Sequence, residues 1–318
     1  MVNPDVRPWV EAFAPATVSN LGPGFDCLGL ALRERGDTVR ARKGEAPGVT
    51  ILRIEGDGGR LPLDAELNTA SVAVRHLLDR FAPKASIELE LLKGLPLGSG
   101  LGSSGASAAA AVVAADSALQ LGLPSEVLVE AARHAEGVAC GTPHPDNVAP
   151  AIVGGVVLIP SLDPLRLVSL PAPEGLWVTV YTPGCEVKTA DARAVLPAAV
   201  SVSDCVGQAA RLGMLVHALH LGDMQMLGEA VVDTVAEPHR ARLIPGYIDA
   251  KAAACEAGAL CCSISGAGPT TFALAEDEHR AKALLEILEE QYTHAGVPGS
   301  GLVDRVGPGA RVTSKPLH

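Results

Sequence analysis

Eleven residues, Pro96-Leu97-Gly98-Ser99-Gly100-Leu101-Gly102-Ser103-Ser104-Gly105-Ala106, run without a charged side chain into the alanine-rich stretch 107–115. Glycines let backbone N–H groups approach an anion with no Cβ in the way, and a helix start adds unpaired donors and the positive end of the helix dipole. The chemistry such a pattern can do is to cradle phosphate, and a nucleotide is the obvious source. A flexible Gly/Ser linker has a similar composition, but a linker leads away from packed structure. Here Ala106–Ala115 is apolar apart from Ser107 and has the best helix-forming composition in the chain. The common P-loop is excluded, because it needs Gly-Lys followed by Ser or Thr and no lysine lies between Lys93 and Lys188. Phosphate charge must be met by other means.

Two further loops carry polar residues at turns. Pro15-Ala16-Thr17-Val18-Ser19-Asn20-Leu21-Gly22-Pro23-Gly24-Phe25-Asp26 is a strand end that breaks into a tight loop presenting Asn20 and Asp26. Ser263-Ile264-Ser265-Gly266-Ala267-Gly268-Pro269-Thr270 is a glycine turn between two apolar strands. Each alone reads as an ordinary turn.

In this order the three loops resemble the three signature motifs of the GHMP kinases, the superfamily of galactose, homoserine, mevalonate and phosphomevalonate kinases, and the resemblance covers most of the chain. Asn20-Leu21-Gly22-Pro23-Gly24-Phe25-Asp26, His144-Pro145-Asp146-Asn147-Val148-Ala149-Pro150 and Glu237-Pro238-His239-Arg240-Ala241-Arg242-Leu243-Ile244-Pro245-Gly246-Tyr247 look like the homoserine-phosphorylating branch. The resemblance implies a two-domain α+β fold with an N-terminal domain like one of ribosomal protein S5 and a ferredoxin-like C-terminal domain. It places ATP between them and makes the chain a phosphotransferase of threonine synthesis, acting on the hydroxyl of L-homoserine. Another small-alcohol kinase of the superfamily and a nucleotide-binding regulator without chemistry are the alternative readings.

The resemblance also assigns residues. Pro96 to Ala106 wraps the triphosphate, Gly266 and Gly268 face the nucleotide, and Ser104 with Glu136 holds Mg²⁺, which demands hard oxygen ligands. Asp26 takes the substrate ammonium; Arg193, together with Arg240 or Arg242, grips its carboxylate in forked geometry. Asn20, His144 and Asn147 orient the hydroxyl and with Arg193 form the catalytic set. A loose phosphoryl-transfer transition state needs little from a general base, so a proton-transfer role for His144 is disfavoured and any base stays open. Cys140 and Thr142-Pro143 stand where family members more often have Ser-Gly followed by a bulkier residue, so the loop between Glu136 and His144 is expected to be shaped differently.

The elements that must position these residues can be read from periodicity. Val10, Ala12 and Ala14 fit the inner face of a strand, and 37–42 and 49–55 are further strands. Asn68 caps a helix with Val74, Leu77, Leu78 and Phe81 as its stripe; Ile87, Leu89 and Leu91 alternate in a strand that leads to the phosphate loop. After the alanine helix, Ser125 caps a helix to Glu136 with Gly137 as its stop, and a strand follows at 151–159. The proline-rich stretch from Pro160 to Pro173 marks a join near residue 170, giving domains 1–170 and 171–318. Beyond it lie a strand at 176–182, helices near 203–221, 224–236 and 246–258, strands at 260–264 and 271–275, and a helix at 278–292 striped by Ala281, Leu284, Leu285 and Leu288. The irregular mixture favours α+β layers over a doubly wound parallel sheet.

Composition narrows the partners. The 318 residues are 48% hydrophobic, enough for a core in each of two domains. With 25 basic against 36 acidic residues the net charge is −11, and 3% aromatic content supplies no stacking platforms, so nucleic acid is an unfavourable partner and small molecules are expected. Met1 to Pro8 lacks a signal-peptide pattern and no apolar stretch spans a bilayer, which points to a cytoplasmic protein without membrane partners and compatible with a homodimer. Seven cysteines without a Cys-x-x-Cys pair read as reduced, mostly buried thiols.

Overall fold

The computed structural model describes residues 8–141 and 144–314. Thr142, Pro143, the side chain of Cys140 and all of the N-terminal segment before Pro8 lie outside the described residues.

The chain opens with β1 (Val10–Ser19), whose Val10, Ala12 and Ala14 are buried as the alternation predicts. β2 (Leu28–Lys43) is far longer than the expected 37–42 because it serves two neighbours in turn, pairing Leu28–Leu30 with β5 and Thr38–Lys43 with β4. β3 (Gly48–Glu55) precedes α1 (Thr69–Phe81), where Asn68 Oδ1 accepts the Ala70 N–H at 3.0 Å. Val74, Leu77 and Leu78 are buried, whereas Phe81, the last residue of the helix, is exposed. β4 (Ser86–Leu92) turns Ile87, Leu89 and Leu91 inward and delivers the chain to the glycine loop. α2 (Ser103–Leu119) follows, starting from Gly102 at φ +68°, and its small side chains let it lie buried against β1, β2 and α1.

α3 (Ser125–Cys140) corrects two expectations. Pro124, with extended backbone and no N–H to give, marks its start, and Ser125 is its first residue rather than its cap. Gly137 does not stop it; the helix runs one more turn to a left-handed Gly141, since the buried Ala131, Ala132 and Ala135 face outweighs the roughly 1 kcal/mol cost of an internal glycine. The single strand expected at 151–159 is instead a short helix α4 (Val148–Val153), a break at left-handed Gly154 and Gly155, and β5 (Val156–Leu162). β5 then turns at Asp163-Pro164 into β6 (Leu165–Leu170), which was not anticipated.

The remaining elements are β7 (Trp177–Thr182), α5 (Thr189–Ala194), α6 (Val202–Leu221), α7 (Met224–Ala230), α8 (Glu237–Arg240) with a 3-10 turn at Ala241–Leu243, α9 (Tyr247–Glu256), β8 (Cys261–Ile264), β9 (Thr271–Ala275), α10 (Glu278–His294), β10 (Ser300–Arg305) and β11 (Arg311–Ser314). The helix expected over 224–236 ends at Ala230 because Asp233 captures the N–H groups of Val235, Ala236 and Glu237 at 2.8–3.0 Å and starts α8.

Two sheets result. The first has the order β11-β1-β2-β4-β3, with β5 on the early half of β2 and β6 beyond it; only β3 and β4 run parallel. The second is antiparallel with the order β10-β7-β9-β8, the ferredoxin-like arrangement in which the first and third strands are central. Core residues fill three regions: between the first sheet and α1–α3, between the sheets where Leu28, Leu30 and Leu32 meet Val178, Val180 and Phe272, and between the second sheet and α9–α10. Among the described cysteines only Cys261 and Cys262 are fully buried; Cys27 and Cys185 are half-buried and Cys205 and Cys255 exposed, so the thiols are less buried than expected.

Candidate active site

The three motif loops are tied to one another. Asn20 Nδ2 donates to the Gly266 carbonyl at 3.1 Å and the Gly266 N–H to the Ser19 carbonyl at 3.2 Å, joining the first loop to the third. Ser265 Oγ donates to the Gly100 carbonyl at 2.7 Å and the Thr270 N–H to the Ser99 carbonyl at 3.1 Å, joining the third to the second. A Cβ on Gly102 would stand 2.2 Å from Thr17 Oγ1, so only glycine permits the first strand to pass this close to the start of α2. The loops enclose a cleft of about 410 Å³.

At one end of the cleft the polar groups of the first loop gather. Asn20 and Asp26 both hold positive φ, +73° and +57°, and Asn20 Oδ1 accepts the Asp26 N–H at 3.1 Å, which fixes the turn. Arg193, on α5, reaches Asp26 with both Nη atoms at 2.9 and 3.1 Å. Arg240, on α8, is almost fully buried, donates to the Ala192 carbonyl at 3.2 Å and the Gly266 carbonyl at 2.7 Å, and stacks 4.9 Å over the Phe25 ring. His144 Nδ1 stands 3.4 Å from Asp26 Oδ2, too long for a good hydrogen bond, and burial pushes its pKa down, with Arg193 and Arg133 opposing the pull of Asp26. His144 Nδ1 and Arg193 Nε are buried donors or acceptors without a protein partner. Thr17 Oγ1 donates to Asn147 Oδ1 at 2.8 Å, leaving the amide N–H groups of Asn147 as its remaining donors.

Asp146 completes this end. It is buried, and loss of solvent together with the nearby Asp26 charge pushes its carboxyl up to about 7, while a Ser19 hydroxyl contact pulls the other way. Toward the phosphate loop, Ser104 Oγ donates to Glu136 Oε2 at 3.1 Å, with Glu136 buried on α3. Lys93 lies beneath the loop, paired with Asp37 and donating to the Ser103 carbonyl at 2.9 Å and Ser107 Oγ at 2.7 Å. Asp37 in turn accepts the Gly94 and Leu95 N–H groups, so a buried ion pair holds the entry to α2.

Most of the residues expected from sequence line one cleft: Asn20, Asp26, Glu136, His144, Asn147, Arg193, Arg240, Gly266, Gly268 and, from the glycine loop, Leu97 to Gly100 and Gly102 to Ser104. Others stand back from it. Leu101 and Ala106 are buried in the core, Gly105 packs toward Val148, and Pro96 is exposed outside. Arg242 is exposed on the 3-10 turn and does not reach the cleft, which corrects its inclusion as an alternative to Arg240. Sequence reasoning missed Asp146 and Lys93. Asp146 stands inside the quoted His144–Pro150 segment, two residues from His144, so that segment held the signal. Lys93 has none, because its place beneath the loop depends on the long-range pairing with Asp37.

The fold and this cleft define a GHMP kinase: residues 68–155 match the model of the GHMP kinases N terminal domain and residues 215–294 that of the GHMP kinases C terminal domain. The chain is 45% identical over 294 residues to a homoserine kinase of Chlorobium phaeobacteroides, covering 89% of this chain and 92% of that protein. It is 39% identical over 303 residues to one of Pyrococcus furiosus, covering 95% and 99%. The crystal structure of a homoserine kinase from Cytophaga hutchinsonii superposes with a TM-score of 0.92 at 41% identity, over 98% of this chain and 99% of that one. The chain belongs to the homoserine kinase family.

Proposed function

We propose that the protein transfers the terminal phosphoryl group of ATP to the side-chain hydroxyl of L-homoserine, giving O-phospho-L-homoserine for threonine synthesis. The observation that carries this reading is the Asp26–Arg193 pair at the end of a cleft entered by the glycine loop. An α-amino acid presents an ammonium and a carboxylate side by side, and a side-by-side carboxylate and guanidinium is their complement. Asp26 takes the ammonium, Arg193 and Arg240 the carboxylate, and Asn20, His144 and Asn147 orient the hydroxyl.

Phosphoryl transfer through a loose transition state asks mainly for positioning and charge neutralisation. The N–H groups of Gly98 to Ser104 and the dipole of α2 receive the phosphates, and Lys93 fixes the loop from beneath. Ser104 and Glu136 suit Mg²⁺, being a hydroxyl and a buried carboxylate 3.1 Å apart, both hard oxygen donors. The ion supplies charge neutralisation on the phosphates when bound. His144, with its pKa lowered, is neutral near pH 7 and serves as a hydrogen-bonding residue.

The chain divides near residue 170 into a unit built on the first sheet and one built on the second, with β11 returning to the first. Small molecules are its partners and the cytoplasm its location; the net charge of −11 supports the former, and no helix among the described residues is long and apolar enough to cross a membrane. Coupled ADP release measured with homoserine, mevalonate, galactose and shikimate tests the function. Homoserine should give the fastest turnover, and faster turnover with any other acceptor at equal concentration would reject the assignment.

A further inference from the structure

Four Lys and Arg side chains line the cleft among the described residues, and three of them are committed. Lys93 is buried against Asp37 and Ser107, Arg193 is forked onto Asp26, and Arg240 is held by two carbonyls. Arg60 differs. Its guanidinium makes one long contact, Nη2 to Glu186 Oε1 at 3.5 Å, and both side chains are more than half exposed, at 57% and 56%. The two residues come from opposite walls: Arg60 from the loop between β3 and α1, Glu186 from the loop after β7.

Their placement has a consequence for an anion. Glu186 Oε1 lies 3.4 Å from where a Cβ on Gly98 would stand, so this carboxylate hangs over the first glycine of the phosphate loop. A polyanion entering there meets a negative charge unless Arg60 offsets it. The backbone beneath Arg60 is well fixed, because Asp57 Oδ1 accepts the Gly59 N–H at 3.2 Å and Oδ2 the Leu61 N–H at 2.9 Å, closing a turn through left-handed Gly58 and Gly59. Those bonds hold the Asp57 carboxyl below its usual range. The side chain above this turn is free to choose its partner.

We propose that Arg60 and Glu186 form an exchangeable clasp across the mouth of the cleft, in which Arg60 leaves Glu186 for the phosphates of ATP when the nucleotide binds. The proposal rests on the reading of this cleft as an ATP site. An exposed ion pair at 3.5 Å contributes little and is readily given up. A guanidinium on phosphate makes short, two-pronged, charge-assisted hydrogen bonds. Arg60 therefore supplies the mobile positive charge that the glycine loop lacks, and Glu186 acts as a competitor that lowers affinity for the nucleotide.

The test is direct binding of ATP, by calorimetry without acceptor, to the full chain and to Arg60→Met, Arg60→Lys, Glu186→Gln and the double variant Arg60→Met/Glu186→Gln, with KM values for ATP and homoserine in parallel. Arg60→Met should raise the Kd for ATP at least about fivefold and leave the KM for homoserine and the melting temperature nearly unchanged. Arg60→Lys should recover part of the loss. Glu186→Gln should tighten ATP about twofold or more, and in the double variant the loss should be smaller than in Arg60→Met, because the repelling carboxylate has gone. An ATP Kd for Arg60→Met within about twofold of wild type would overturn the clasp, as would weaker ATP binding by Glu186→Gln. Wild-type protein that fails to bind ATP would reject the ATP site and the clasp together. Wild-type protein that binds ATP but does not turn over homoserine would reject the acceptor alone, and the variants would still decide the clasp.

Discussion

Arg193 meets Asp26 as a fork, Nη2 to Oδ1 at 2.9 Å and Nη1 to Oδ2 at 3.1 Å, on a turn where Asp26 itself sits at φ +57°. The two groups that an amino-acid substrate requires are thus held in register with each other before it arrives, which lowers the cost of organising the site. Asn matches Asp in volume and tolerates the left-handed region equally well, so Asp26→Asn should keep the turn and lose only the charge. Homoserine binding should weaken by about 2–4 kcal/mol with ATP affinity and melting temperature nearly unchanged. An unchanged homoserine KM at saturating ATP would reduce Asp26 to a turn former.

Arg240 and Arg242 are separated by one residue, Ala241, and by their surroundings. Arg240 is buried and its fork is engaged by the carbonyls of Ala192 and Gly266, whereas Arg242 is exposed. Arg242→Ala should therefore change stability by less than about 0.5 kcal/mol and leave homoserine KM alone. Arg240→Lys keeps the charge and loses the planar donors, so homoserine KM should rise at least about tenfold. Equal effects from the two substitutions, read from steady-state kinetics and thermal melts, would remove the distinction.

What could be read from the sequence was what local chemistry decides. The Asn68 cap and a buried alanine-rich helix after the glycine run follow from local pattern, although that helix starts at Ser103, inside the stretch expected to be loop. Of the stripe Ala281, Leu284, Leu285 and Leu288, all but the half-buried Leu285 are buried. Boundaries failed where a distant contact set them. Gly137 stays helical because the helix before it packs Ala131, Ala132 and Ala135 on the core, and β2 runs sixteen residues because β5 arrives from more than a hundred residues away. The site followed the same rule. Residues inside a recognisable segment were found, Asp146 was overlooked between two that were found, and Lys93 is defined by a partner 56 positions earlier.

Glu136 is buried at 3.1 Å from Ser104 Oγ, an arrangement suited to a magnesium ion that neutralises phosphate charge. Glu136→Gln preserves shape and removes the negative charge. Turnover should fall at least about tenfold, a loss of more than about 1.4 kcal/mol of transition-state stabilisation, and the Mg²⁺ concentration needed for half-maximal rate should rise. Near-normal turnover at limiting Mg²⁺ would exclude this carboxylate as a ligand.

Asp146 makes a prediction about stability rather than rate. Burial, reinforced by the Asp26 charge, raises its carboxyl from 3.8 to about 7 in the folded protein. An acid with a raised folded pKa holds its proton more tightly in the native state than in the unfolded chain. Its stabilising contribution is therefore complete below about pH 4 and is lost as pH climbs through the interval up to about 7. Asp146→Asn replaces the carboxyl with a neutral amide of the same shape and removes this titration. His144, shifted down by its own burial, titrates in both proteins and cancels in the difference. Melting temperatures of the ligand-free proteins between about pH 5 and 8 should show wild type declining relative to Asp146→Asn, with the gap levelling off above about pH 7. Parallel curves across that range would mean that Asp146 is already ionised in the native state and that the acceptor end of the cleft carries two negative charges rather than one.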